Sequence, residues 1–259
     1  MKGDVGQRND EDQGNEEEQA ASDEEQDTSD KEEQDAGDEE QDADEEDEEE
    51  TSDEFEITHT MLKNVGDDLI DFSAMDCICT SNDDYRAINL PPRFCQSGLN
   101  GRNGSSACTV ISVIAGYYFT KFTFKFQKLM EDILPLYVGC IEIGNFVHQT
   151  SQFLLVQEAI TLLPLSMSAS WEENVFPCDL HLHIMQLKKS QFMVVISGCY
   201  SVCVVKNDNS ASLFDSHSRN GYGALIVNVS LNNLKQITDN ILVHNPEIPF
   251  YYCFVDIFW

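Results

Sequence analysis

Apolar residues begin to recur regularly only at Phe55, and from there the spacing changes character twice along the chain. Residues 80–106 are rich in Asn, Gly, Ser, Asp and Pro, including Pro91-Pro92 and Asn100-Gly101-Arg102-Asn103-Gly104. This reads as a long irregular segment, and long loops in compact domains are commonly functional. A Ser-rich stretch, Ser105-Ser106-Ala107, then opens into the apolar run 109–119. The run predicts a buried helix starting at or just before Cys108. Its β-branched content also fits a strand, but its length and the serines at its start favour helix. A second helix is expected over 126–134, ended by Pro135. A third is expected over 143–163, ended by Pro164, with Phe146, Phe153, Leu154 and Val156 on its apolar side.

The second half changes period. Residues 192–196 form a short apolar run that predicts a buried strand, punctuated by Ser197-Gly198, and 200–205 predict another. Asn207-Asp208-Asn209 signals a hairpin turn into a strand over 211–214, which ends in Asp215-Ser216-His217. A strand over 224–229, a helix over 231–241 and an aromatic strand over 250–258 complete the pattern. Helices followed by antiparallel strands predict an α+β domain over 55–259, with a helical half packed on an antiparallel sheet.

Composition separates this domain from what precedes it. The chain has 259 residues and a formal charge of −32, of which residues 1–54 hold 28 acidic residues against three basic ones. These 54 residues contain no Trp, Tyr, Phe, Ile or Leu and a single Val. They cannot bury enough apolar area to offset the entropy of ordering, which predicts a disordered acidic tail. Glu-Glu-Gln-Asp recurs at 24–27, 32–35 and 39–42 without an apolar seam, so the repeat is low complexity rather than coiled coil. Such a tract solvates and spaces, or docks a basic protein partner such as a histone. It repels nucleic acid.

Met1 is followed by polar residues, so no secretory leader is expected, and no run of 18 apolar residues predicts a membrane span. Nine cysteines, an odd number at irregular spacings, point to free thiols in a reducing intracellular compartment, cytoplasmic or nuclear, most of them small buried hydrophobes.

Acyl transfer by a thiol needs a thiolate, an imidazole to carry the proton, a group to orient that imidazole and donors for the oxyanion. Cys108 stands where a helix is expected to begin, and helix N-termini favour anions and lower thiol pKa values. The preceding Gly and Ser residues suggest an accessible sulfur. Taken alone, Cys108 reads more readily as a buried structural thiol, the default for a single cysteine. Asp215 lies two residues before His217 at a strand end, and residues i and i+2 of a strand share a face, so the carboxylate can fix the imidazole. Gln96, 12 residues before Cys108, can supply a side-chain N–H to an oxyanion.

In that order, Gln96, Cys108 and Asp215-Ser216-His217 resemble the deubiquitinating cysteine protease domain of herpesvirus large tegument proteins. The match spans roughly residues 90–220 as a pattern rather than as extended identity. The resemblance implies a papain-like fold, with Cys108 as nucleophile, His217 as general base, Asp215 as its orienter and Gln96 as oxyanion donor. It further implies ubiquitin or ubiquitin-like conjugates as substrate; the motifs of the chain lead to no expected cofactor or metal. Residues 103–107 depart from the viral pattern. Two alternatives share these residues. One is a catalytically inactive papain-like binding module whose acidic tail recruits a basic partner. The other is transfer to an amine instead of water, as in transglutaminase-like enzymes.

Other candidates are weaker. Cys178-x-x-His181-x-His183 would place both histidines on one face of a strand, but no second ligand pair stands nearby. Cys77-x-Cys79 lacks the two-residue gap of zinc or redox pairs and reads as structural. His148 falls in a helical pattern and His244 in a turn before Pro246. No phosphate-binding or dinucleotide-binding glycine motif and no basic aromatic patch is present.

Overall fold

The computed structural model describes residues 56–70, 77–121, 129–171, 174–242 and 249–258. The expected acidic tail, the first turn of the helix expected from 126, and His244 lie outside these residues. In chain order the elements are α1 (His59–Leu69), β1 (Ile78–Asn82), β2 (Tyr85–Asn89), α2 (Cys108–Lys121), α3 (Leu129–Val147), α4 (Val156–Thr161), β3 (Met167–Trp171), α5 (Leu180–Gln186), β4 (Gln191–Ser197), β5 (Tyr200–Lys206), β6 (Ser210–Asp215), β7 (Leu225–Ser230), α6 (Lys235–Leu242) and β8 (Tyr251–Ile257). The eight strands form one sheet in the order β1-β2-β7-β6-β5-β4-β8-β3, and every pairing is antiparallel. The architecture is α+β.

Successive side chains of a strand point to opposite faces. On β4, Phe192 and Val194 enter the core shared with α1 to α4, whereas Met193 and Val195 enter the core shared with α5 and α6. Helices therefore cover both faces of the sheet, one layer more than the sequence predicts. Burial on both faces is why β4 and β5 read as continuous apolar runs rather than alternating ones.

Helix α2 lies at the centre, with every residue from Cys108 to Phe119 buried. A helix apolar all round belongs inside a core. Its polar exceptions tie it to β5: the Ser112 hydroxyl donates to the Ser201 carbonyl at 3.1 Å, and the Thr109 and Ser201 hydroxyls are 2.9 Å apart. Gly116 permits the contact with β4, because a Cβ there would lie 2.1 Å from the Phe192 ring.

Three expectations are corrected. Pro135 does not end a helix; it lies inside α3, which runs on to Val147. Proline in a helix interior costs about 3 kcal/mol. Leu134, Leu136, Tyr137 and Val138 are all at most 1% exposed, and burying each contributes roughly 1.5–3 kcal/mol, so packing outweighs the lost hydrogen bond. Close packing against α1 assists: a Cβ on Gly66 would meet the Pro135 carbonyl oxygen at 1.7 Å, and one on Gly139 the Leu62 carbonyl oxygen at 1.9 Å. Second, the helix expected over 143–163 is two elements, the end of α3 and the short α4, so His148 sits just beyond a helix rather than within one. Third, the irregular segment from residue 80 opens with the β1–β2 hairpin. The β1 side chains are all exposed, as suits a polar edge strand.

Candidate catalytic site

The irregular stretch before α2 is pinned to the sheet. Leu90 N–H donates to the Ala224 carbonyl at 2.9 Å, Ala224 N–H to Phe94 at 2.6 Å, and Gln96 N–H to Ser216 at 2.8 Å. The last of these joins the loop ahead of Cys108 to the segment between Asp215 and His217. The Gln96 side chain makes the same junction: its Oε1 accepts from the Ser216 hydroxyl at 2.7 Å, and its Nε2 donates to the Ser105 carbonyl at 3.2 Å. A carbonyl can only accept, which fixes the amide orientation. Asn145 of α3 supports the loop, donating to the Gln96 carbonyl at 3.1 Å and accepting from the Ser105 hydroxyl at 2.6 Å.

Cys108 is the first residue of α2. Its thiol is hydrogen-bonded to His217 and receives hydrogen bonds from Ser201, and the sulfur lies 3.6 Å from the Cys199 carbonyl oxygen in the β4–β5 turn. Asp215, at the end of β6, is fully buried. Its Oδ1 accepts from His217 Nδ1–H at 2.6 Å and from the His217 backbone N–H at 2.9 Å. Nδ1 is thereby committed to the carboxylate, leaving Nε2 for the sulfur. The imidazole and the Tyr200 ring pack in a T-shaped arrangement, with centroids 4.7 Å apart.

The charges are coupled. Burial pushes the Cys108 thiol up, but the hydrogen bond and charge of His217, with the Ser201 hydrogen bonds, outweigh it, so its pKa lies below the usual thiol value. Burial pulls His217 down, and the charge and hydrogen bond of Asp215, followed by Cys108, outweigh that and raise it to about 9. Cys140 and Cys203, buried without an imidazole, are both pushed up by burial. Cys108 therefore has the electrostatic setting of a thiolate–imidazolium pair.

The structure thus brings Gln96, Cys108, Asp215 and His217 together. One expectation fails: Cys108 is not accessible but 1% exposed, covered by the β4–β5 turn. A cleft of about 730 Å³ lies alongside, lined by Arg102, Ser105, Ser106, Asn145, His148 and Phe153 among others. Sequence reasoning also gave no role to Arg219. It is 7% exposed, and its Nε donates to Asp215 Oδ2 at 2.7 Å while an Nη2 hydrogen closes a second bond to the same oxygen. The spacing Asp215, His217, Arg219 was a usable signal, since it extends the every-second-residue pattern by one step.

The remaining candidates separate. His181 and His183 lie on α5, not on a strand, and two residues apart on a helix point to different faces. His183 Nδ1 is 2.7 Å from the Tyr252 hydroxyl. Among the described residues no group of three or more His, Cys, Asp or Glu side chains is arranged to hold a metal ion, and no helix is long and apolar enough to cross a membrane. All nine cysteines are free; five are buried, Cys77 is half-buried, and Cys79, Cys178 and Cys199 are exposed.

No protein-family profile and no curated protein matches the sequence. Among solved structures, the chain is similar to the ubiquitin-specific protease encoded by murine cytomegalovirus tegument protein M48, solved in complex with a ubiquitin-based suicide substrate. The identity is 11% and the TM-score 0.46, over 64% of this chain and 84% of that one.

Proposed function

We propose that this chain is a thiol-dependent isopeptidase with a papain-like arrangement of groups, acting on ubiquitin or ubiquitin-like conjugates. The observation that carries the reading is a cysteine at a helix start, hydrogen-bonded to an imidazole whose Nδ1–H is held by a buried carboxylate at 2.6 Å. The order Gln96, Cys108, Asp215-Ser216-His217, with its resemblance to the herpesvirus tegument deubiquitinases, supports the substrate class. Nine free thiols suit a reducing compartment.

In this reading the Cys108 thiolate attacks the carbonyl carbon at the end of the modifier. The negative charge that develops on the carbonyl oxygen is met by the Cys108 backbone N–H and by the Gln96 Nε2 hydrogen not engaged by Ser105. The imidazolium of His217 gives its proton to the departing lysine amine, the C–N bond breaks and a thioester remains. Water then attacks the thioester and loses its proton to His217, the C–S bond breaks and the thiolate returns. Because the sulfur is covered, the β4–β5 turn must shift to admit substrate. Only a slender extended end fits such an approach, which favours a modifier's C-terminal tail over a folded loop.

The covered sulfur also suits a binding module without chemistry. Such a module has no use for a thiol held below its usual pKa beside a raised imidazole, and this weighs for the enzyme. The test is hydrolysis of a ubiquitin C-terminal amide. Cys108→Ala should abolish turnover and leave the melting transition in place; turnover retained in that variant would sink the assignment.

A further inference from the structure

We infer that Arg219 is a positioning residue of this site: its guanidinium holds the Asp215 carboxylate ionised and fixed, and so sets the pH range over which His217 serves Cys108. The inference rests on the isopeptidase reading and assigns a residue that the sequence pattern does not.

The geometry leaves Asp215 no freedom. Its Oδ1 serves the His217 ring and backbone, and its Oδ2 is closed by the Arg219 fork. A guanidinium bound through two donors to one carboxylate fixes orientation as well as charge. Arg219 is itself pinned from two other sides. Its Nη1 donates to the Asn240 carbonyl in α6. Its backbone exchanges both hydrogen bonds with Tyr222, at 3.0 and 2.7 Å, across Asn220 and Gly221 at φ of 47° and 84°. Two consecutive positive φ values at Asn-Gly form a tight hairpin turn, which holds the Arg219 backbone still.

The position of the charge has a consequence for chemistry. The carboxylate stabilises the imidazolium, and a cation on its far side weakens that pull. Among the described residues, ionisable groups about this pair include Cys108 from α2, Tyr200 from β5 and Tyr137 from α3, whose hydroxyl is pushed up first by burial and then by the Asp215 charge. Arg219, bound to the far oxygen of the carboxylate, is a positive counterweight to the imidazolium. Loss of its charge with the hydrogen bond kept should strengthen the imidazolium and move its loss to higher pH.

The test is the pH dependence of Cys108 alkylation by iodoacetate, read by peptide mass spectrometry on the full chain. The anionic reagent reports the thiolate through an acid limb and the neighbouring cation through an alkaline limb. In Arg219→Gln the alkaline limb should rise by about one pH unit, and in Arg219→Lys it should stay near the wild-type position. Melting curves establish that each variant is folded, and an unfolded Gln variant is replaced by Arg219→Met, for which the same upward shift is expected. If wild type shows a depressed acid limb but the neutral variants leave the alkaline limb in place, Arg219 is only structural and the inference falls while the enzyme reading stands. If wild-type Cys108 titrates as an ordinary thiol, the enzyme reading falls and takes the inference with it.

Discussion

Asp215→Asn changes one atom and should remove most of the site's reactivity. In the wild type the imidazole of His217 is raised from its ordinary 6.5 to about 9, with burial opposing and Asp215 supplying the main compensation. At 1.36 kcal/mol per pH unit this is a preference of about 3 kcal/mol for the imidazolium. Asparagine cannot restore it. If its oxygen faces the His217 ring and backbone N–H groups, its amide nitrogen meets the Arg219 donors. If it flips, two hydrogens point at the His217 backbone N–H and force the other tautomer. Without the carboxylate, burial loses its main opponent and His217 falls from about 9, so less of the thiol is ionised at neutral pH. Loss of about 3 kcal/mol corresponds to a fall of roughly 10²-fold in kcat/KM on a ubiquitin C-terminal amide at neutral pH. The stability readout carries its own sign. A raised histidine pKa contributes stability that is complete below 6.5 and lost as pH rises through about 9. The gap in unfolding free energy between wild type and Asp215→Asn should therefore be widest at the acid end of that window and narrow towards pH 9. An Asp215→Asn enzyme within threefold of wild type at neutral pH would refute the reasoning.

Three further outcomes are expected. The kcat/KM profile should be bell-shaped, rising with thiol ionisation below the ordinary thiol range and falling near pH 9 as the imidazolium is lost; a single rise through the ordinary thiol range would count against the pair. Gln96→Ala should lower kcat by about 10²-fold, within the usual range for one oxyanion donor, and leave KM nearly unchanged, as steady-state kinetics will show. Because Gln96 also joins Ser105 to Ser216, Gln96→Glu, which keeps the acceptor for Ser216, should be no better. Gly116→Ala should destabilise the fold by about 1–3 kcal/mol in urea unfolding, since the new methyl would lie 2.1 Å from the Phe192 ring.

Much of this site is legible in the chain because its signals are local. Cys108 follows a Ser-rich loop and opens an apolar run, and Asp215 and His217 sit at the end of a strand announced by Asn207-Asp208-Asn209. The central strands are legible because helices on both faces make them apolar throughout. What is hidden depends on partners distant in sequence. Pro135 is a breaker by local rules, and only the packing of α1 against α3 overrides it. The hairpin of β1 and β2 is masked by the polar side chains an exposed edge requires. Helix α5 is short, and its His181 and His183 fit strand spacing as well as helix. The cover over Cys108 comes from Cys199, 91 residues on, where Gly198 adopts a positive φ of 61° to turn the chain. Nothing near Cys108 in sequence encodes it. Arg219 lies in between: its spacing from Asp215 is visible, but its fork onto the carboxylate depends on the Asn220-Gly221 turn and on α6.

The central claim is that His217 ionises a sulfur that the fold has buried, and competitive alkylation of the intact chain by iodoacetamide at about pH 6, below the ordinary thiol range, tests it most directly. The account predicts that Cys108, at 1% exposure, is carbamidomethylated ahead of the exposed Cys79, Cys178 and Cys199, and that His217→Ala removes this advantage. Labelling of the exposed cysteines first, with Cys108 reacting only on unfolding, would contradict it.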